Sequence, residues 1–165
     1  MNLPPSSETT GFSRPEQGWD DWLRPFDGTP WSDGGRPLVA AQDLPSEAAS
    51  PGIARNVTKD TLTRWSLCDF YDDAAVVVSE LVTNAIRYGL CPAARDPLRL
   101  VLARYERQLV CMVTDPTDTA PKMQEPDWVA ETGRGLHIIE AMSRAWGWTP
   151  LLGGGKAVWA SFSIS

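Results

Sequence analysis

Val78-Ser79-Glu80-Leu81-Val82-Thr83-Asn84-Ala85-Ile86-Arg87-Tyr88-Gly89 governs the reading of this chain. Its apolar residues fall at helical spacing. Leu81, Val82, Ala85 and Ile86, with Val77 and Val78 a turn earlier, form one core-facing stripe. Glu80, Asn84 and Tyr88 stand at i, i+4 and i+8 and share another face. A carboxylate one turn from a carboxamide pairs a proton acceptor with an uncharged oxygen ligand for a hard cation such as Mg2+. The same spacing also describes a polar helix face turned to solvent, and both readings stand on this segment alone.

Two later segments narrow the choice. Leu109 to Val113 is an apolar, strand-like run that continues through Thr114 to Asp115 and stops at Pro116, which cannot extend a ladder. Glu131-Thr132-Gly133-Arg134-Gly135-Leu136-His137-Ile138-Ile139 is a glycine-rich turn leading into an amphipathic helix. The unpaired backbone N–H groups of such a helix start, with the helix dipole, suit a polyphosphate. Gly133 and Gly135 allow the backbone close to phosphate. Arg134 either adds charge there or points to solvent, and a plain tight loop is the alternative for the whole turn. The informative feature is the order: Glu-x-x-x-Asn helix, strand ending in Asp, Gly-x-Gly-Leu helix, C-terminal hairpin.

That order resembles the Bergerat-fold (GHKL) ATPases, and within them the RsbW/SpoIIAB-type anti-sigma-factor serine kinases and small stand-alone ATP-binding regulators. The motifs are Ser79 to Ala85, Asp115-Pro116, Gly133 to Leu136, Trp146-Gly147-Trp148 and Gly155 to Trp159, over residues 38–165. The resemblance implies that Asn84 ligates a Mg2+ bridging the phosphates of ATP. It makes Glu80 the acceptor of a proton from an attacking hydroxyl, and Asp115 the acceptor of the adenine amino group. Tyr88, Gly133, Arg134, Gly135 and Leu136 would face the nucleotide. Glu80, read as exposed, is expected to be ionised and a weak base.

The implied activity is ATP-dependent serine/threonine protein kinase. The protein would hold a sigma factor inactive and phosphorylate a small antagonist of that inhibition. A homodimer is also implied by resemblance. Two other readings remain open: a non-catalytic ATP-sensing interaction module, and a scaffold without nucleotide binding. The chain departs from the wider pattern after Asp115, where Pro116-Thr117-Asp118-Thr119 contains no glycine. Ala157 stands near a place where relatives carry Thr. Lys156, in the Gly155-Lys156 turn, either reaches a γ-phosphate or solvates the hairpin.

Composition excludes several classes. Net charge is −6, divided evenly: three Arg against six acids in residues 1–37, and 12 basic against 15 acidic residues beyond. No basic stripe for nucleic acid is present. Cys68, Cys91 and Cys111 contain no Cys-x-x-Cys pair, so neither a disulfide framework nor a zinc site is expected. No apolar run approaches the ~20 residues of a membrane span, and the start shows no secretory pattern. A cytoplasmic location is expected. Residues 1–37 hold 6 of 14 prolines and 5 of 13 glycines with few aliphatic residues, and are expected to be a disordered tail. That tail carries Trp19, Trp22, Phe26 and Trp31, aromatic anchors able to dock on a partner or on the domain itself.

The remainder, 38–165, reads as one ATP-binding domain of the α+β class: a two-layer sandwich with a mixed, mainly antiparallel sheet and helices on one face. A first strand is expected at Leu38 to Ala41. A helix follows, with Ser50 as N-cap and Pro51 at its first position. Asp72 or Asp73 is expected to cap the Glu80/Asn84 helix, and Gly89 to end it. The strands Leu98 to Ala103 and Leu109 to Val113 should pair as a hairpin. Residues 116–132 form a candidate lid. A third helix buries Leu136, Ile139, Met142 and Ala145, and a hairpin around Gly153-Gly154-Gly155 closes the chain.

Overall fold

The computed structural model describes residues 38–88, 98–105, 107–117, 121, 134–150 and 155–164. The expected 1–37 tail, the Gly89 cap, Gly133, most of the 116–132 loop and the Gly153-Gly154 turn lie outside them. The elements are β1 (Leu38–Leu44), α1 (Ser50–Arg64), a 3-10 turn (Cys68–Phe70), α2 (Tyr71–Tyr88), β2 (Leu98–Tyr105), β3 (Gln108–Asp115), α3 (Gly135–Met142), β4 (Ala145–Pro150) and β5 (Lys156–Ser163).

The strands form one five-stranded sheet in the order β1-β2-β3-β5-β4. All four pairings are antiparallel. The sheet is therefore not mixed among the described strands. The crossover through α3 does leave β3 and β4 running in the same direction, but β5 lies between them and is antiparallel to both. The expected β2/β3 hairpin is present, closed at the Tyr105–Gln108 pair. Pro150 ends β4, an edge strand paired only with β5, where a missing N–H is tolerated.

Helix α2 owes its place to its apolar period. Ala74, Val77, Val78, Leu81, Val82 and Ala85 are buried in the core, and Ile86 packs against it. Asp72 and Asp73 lie inside its first turn and Arg87 in its last, both favourable to the helix dipole. Neither Asp is the cap, because the 3-10 turn feeds directly into the helix at Tyr71. In α1 the cap position falls on Ala49, not Ser50. The Ser50 hydroxyl instead donates to the Pro45 carbonyl. The far end of α1 closes through Leu67 N–H to Leu62 O at 2.8 Å, with Ser66 in the left-handed region at φ 58°.

The helices cover one face of the sheet. Leu98, Leu100 and Leu102 of β2, Leu109, Cys111 and Val113 of β3, and Val158, Ala160 and Phe162 of β5 join the helical residues in a single core. Complete burial pushes the Cys111 thiol up to about 12, as expected of an inert core cysteine. Leu136 and Ile139 are buried and Met142 packs on the core, as the sequence predicts for α3. Ala145 does not belong to that helix. Ser143 turns to extended backbone, its N–H and hydroxyl both donate to Ile139 O, and Arg144 N–H begins the ladder to Ser161 O at 2.8 Å.

Candidate nucleotide site

The Glu80/Asn84 face of α2 meets the start of α3 at Gly135. A Cβ placed on Gly135 would lie 2.8 Å from Asn84 Oδ1, 3.0 Å from Asn84 Nδ2 and 3.0 Å from Glu80 Oε2. Real Cβ atoms almost never stand that close to another atom, so only glycine lets these side chains sit against the helix start. Residues 80, 84 and 135 thus converge although about fifty positions of chain separate the helices. Neither Glu80 nor Asn84 hydrogen-bonds to another described residue, so both keep their oxygens available.

Glu80 is half-buried, which corrects the expectation of an exposed carboxylate. Burial raises its pKa above the ordinary carboxylate value, opposed by the charge of Arg87 two turns further on. When ionised it is a better base than a solvated Glu. Arg134 precedes α3 at the N-cap position, and its carbonyl accepts from Ile138 N–H at 2.9 Å. Leu136 is a core residue, 6 % exposed, so anything it offers a ligand comes from its backbone N–H rather than its side chain. Tyr88 is the last residue of α2.

Asp115 ends β3 and is 5 % exposed. Its Oδ1 accepts Lys156 Nζ at 2.9 Å and Thr117 N–H at 2.9 Å. Lys156 Nζ also donates to Thr117 Oγ1 at 2.8 Å. Lys156 therefore does not solvate the hairpin: it is buried, 4 % exposed, and opposite Asp115 in the β3/β5 register. Burial raises the Asp115 pKa, while Lys156 and the hydrogen bonds from Lys156 and Thr117 pull it back. Gly155 packs on the same corner. Its φ is +86°, and a Cβ there would lie 2.4 Å from Asp115 O. Sequence reasoning missed Lys156 and Thr117 as partners of Asp115. The i to i+2 bond from Thr117 is the turn that Asp-Pro-Thr favours, but the Lys156 contact requires the strand register.

These residues fit a magnesium nucleotide. The cradle at Gly135, which a single methyl would fill, pairs a carboxamide and a carboxylate with the N-terminal end of a helix, whose dipole favours an anion. The described residues contain no cluster of three or more His, Cys, Asp or Glu able to hold a metal alone. Mg2+ would thus take most of its shell from phosphate and water. Among the described residues, no helix is long and apolar enough to cross a membrane.

An antiparallel sheet backed by helices, with an Asn/Glu helix face against a glycine helix start, defines an ATP-binding α+β sandwich of the GHKL type. The family model of the histidine kinase-like ATPase domain matches residues 44–162, most of the chain, and the protein belongs to that family. No curated protein gives a significant match.

Proposed function

We propose that this ATP-binding regulator is an anti-sigma factor with serine/threonine kinase activity toward a small antagonist protein. The observation that carries the reading is the convergence of Glu80 and Asn84 on Gly135. An ATP-binding domain used only as a sensor needs the phosphate cradle but has no need of a base beside it. Glu80 carries a carboxylate at that contact, and its burial strengthens it as a proton acceptor.

In this reading the N–H groups at the start of α3 hold the phosphates, and Asn84 holds Mg2+. When bound, Mg2+ neutralises charge on the phosphoryl oxygens. Asp115 accepts the adenine amino group through the oxygen not used by Lys156. Glu80 takes the proton of the attacking Ser or Thr hydroxyl. The hydroxyl oxygen bonds to the γ-phosphorus, the bond to the β–γ bridging oxygen breaks, and ADP leaves with that electron pair. Positioning supplies most of the rate.

The test is phosphotransfer from Mg-ATP to candidate antagonist proteins, with calorimetry of ATP binding beside it. Glu80→Gln is expected to keep ATP binding and to lose at least about 100-fold in transfer, the usual contribution of a general base. ATP binding without any phosphoprotein would leave the non-catalytic ATP-sensing module. No ATP binding would leave the scaffold.

A further inference from the structure

The ammonium of Lys156 is fully committed at one corner of the sheet. It carries three N–H donors and meets three oxygens there: Asp115 Oδ1 at 2.9 Å, Thr117 Oγ1 at 2.8 Å and, at a longer 3.5 Å, the Thr117 carbonyl. Backbone builds this corner. Register sets Lys156 opposite Asp115 at the end of β3. The left-handed Gly155, with φ +86°, brings the chain against the Asp115 carbonyl one residue earlier. A lysine so engaged has no donor left for a phosphate. To reach a γ-phosphate it would give up its two short hydrogen bonds and leave the acid without its cation.

We infer that Lys156 is a positioning residue for base selection: it fixes Asp115 as a pure hydrogen-bond acceptor, so that the site takes a 6-aminopurine nucleotide and refuses a 6-oxopurine one. The inference rests on the reading of Asp115 as the residue that meets the base, and adds the group that sets its polarity. Every hydrogen bond between the carboxylate and the described residues is one that it accepts. Oδ1 receives both Lys156 Nζ and Thr117 N–H, each at 2.9 Å. The Thr117 hydroxyl accepts from the ammonium, so its own proton is turned away from Lys156. A carboxylate offers about four lone-pair sites, and the contacts on Oδ1 use two of them. What Oδ2 presents to a ligand is acceptor capacity alone.

The consequence falls on the purine 6-position. An exocyclic amino group donates to that oxygen. A 6-oxo group turns a second acceptor toward a carboxylate that has no proton to give, and the mismatch costs as much as an unmade hydrogen bond to a charged group. Burial by itself favours the neutral acid, and the charge of Lys156 is the largest influence opposing it. A protonated carboxyl carries an O–H and would donate to the oxo group, so the acid without its lysine would take both kinds of base. Stability does not account for the pair, because a buried ion pair adds little over apolar side chains of the same volume.

The test is calorimetry of Mg-ATP and Mg-ITP, which differ at the purine 6-position and the adjacent N1, on the full chain and on its Lys156→Met and Lys156→Arg variants. The unmodified protein is expected to bind ITP at least about tenfold more weakly than ATP. Lys156→Met should bring the two within about threefold of each other. Lys156→Arg, whose guanidinium also only donates, should keep the preference. Equal loss of both nucleotides in Lys156→Met makes the lysine merely structural and overturns the inference. Equal affinity of the unmodified protein for ATP and ITP overturns it too, while leaving the nucleotide site in place. Binding of neither removes that site, and the inference with it. Where the lysine variants fail to fold, the unmodified chain labelled with 15N at its three lysine side chains decides, with Lys59→Arg and Lys122→Arg assigning Lys156 by elimination. At saturation, an ammonium resonance that is the same with ATP and ADP but different with ITP supports the inference. One that differs between ATP and ADP but not between ATP and ITP puts the ammonium on the γ-phosphate and overturns it.

Discussion

Lys156 Nζ lies 2.9 Å from Asp115 Oδ1, between two side chains that are 5 % and 2 % exposed, on facing positions of β3 and β5. The acid proposed to read the adenine base is thus held by a cation from the neighbouring strand. The ammonium also donates to Thr117, so the lysine, the acid and the turn after β3 form one unit. A buried pair of this kind adds little net stability against apolar residues of the same volume, but losing one member leaves a charge without compensation.

Lys156→Met is therefore expected to destabilise the fold by about 3–5 kcal/mol, the usual cost of orphaning a buried charge. Burial already raises the Asp115 pKa, and without Lys156 nothing of comparable strength opposes it. An acid with a raised folded pKa is stabilising below its unfolded value and loses that contribution as pH rises through the folded one. The deficit of the variant should accordingly be larger at pH 8 than at pH 5. Adding Asp115→Asn should recover much of it. Urea unfolding of the unmodified protein and of the single and double variants at both pH values measures this.

Glu80→Gln should raise the melting temperature at neutral pH. The folded pKa of Glu80 is raised by burial, opposed by Arg87. Ionising it in the native state costs more than in the unfolded chain, so its contribution falls as pH rises above the ordinary carboxylate value. Gln removes that penalty. The gain should grow with pH through the mildly acidic range and vanish toward pH 4. A pH series of thermal melts checks the sign, and a variant that melts lower at every pH would contradict it.

Gly135→Ala separates helix propensity from the cradle. In an open helix, Ala would be better than Gly by about 1 kcal/mol. Here its methyl meets Asn84 at 2.8 Å and Glu80 at 3.0 Å. Both contacts are with the ends of flexible side chains, which can swing away, so stability should change by less than about 1 kcal/mol while the cradle is lost. ATP affinity is expected to fall at least about tenfold, or 1.4 kcal/mol. Calorimetry and denaturant unfolding on the same preparation read the two effects.

Gly155→Ala should be the more damaging glycine substitution for stability. The left-handed backbone alone costs a non-glycine residue about 1–2 kcal/mol. The new methyl would also stand 2.4 Å from Asp115 O, a backbone atom that cannot rotate away. A loss above about 2 kcal/mol is expected, with the Asp115–Lys156 pair displaced. The midpoint of urea unfolding is the readout.

Much of the architecture was legible because helices and strands write their periods locally. The apolar spacing from Val77 to Ala85 marks α2 without reference to any other part of the chain, and the β2/β3 hairpin declares itself by two apolar runs around a short polar turn. Element ends were harder. Ser50 looked like a cap and bonds Pro45 instead, while Ala145 continued a helical period but joined β4. In both cases a side-chain bond or a neighbouring strand outweighed propensity.

The sequence by itself determined the order of the motifs, the face that Glu80 shares with Asn84, and the family those motifs resemble, because each depends on neighbours a few residues apart. Tertiary structure alone decided that Gly135 closes on that face, that Glu80 is half-buried, and that Lys156 neutralises Asp115 across 41 positions of chain. Such contacts follow from strand register and helix docking. Both are set by packing of the whole core, and no local pattern of residues carries them.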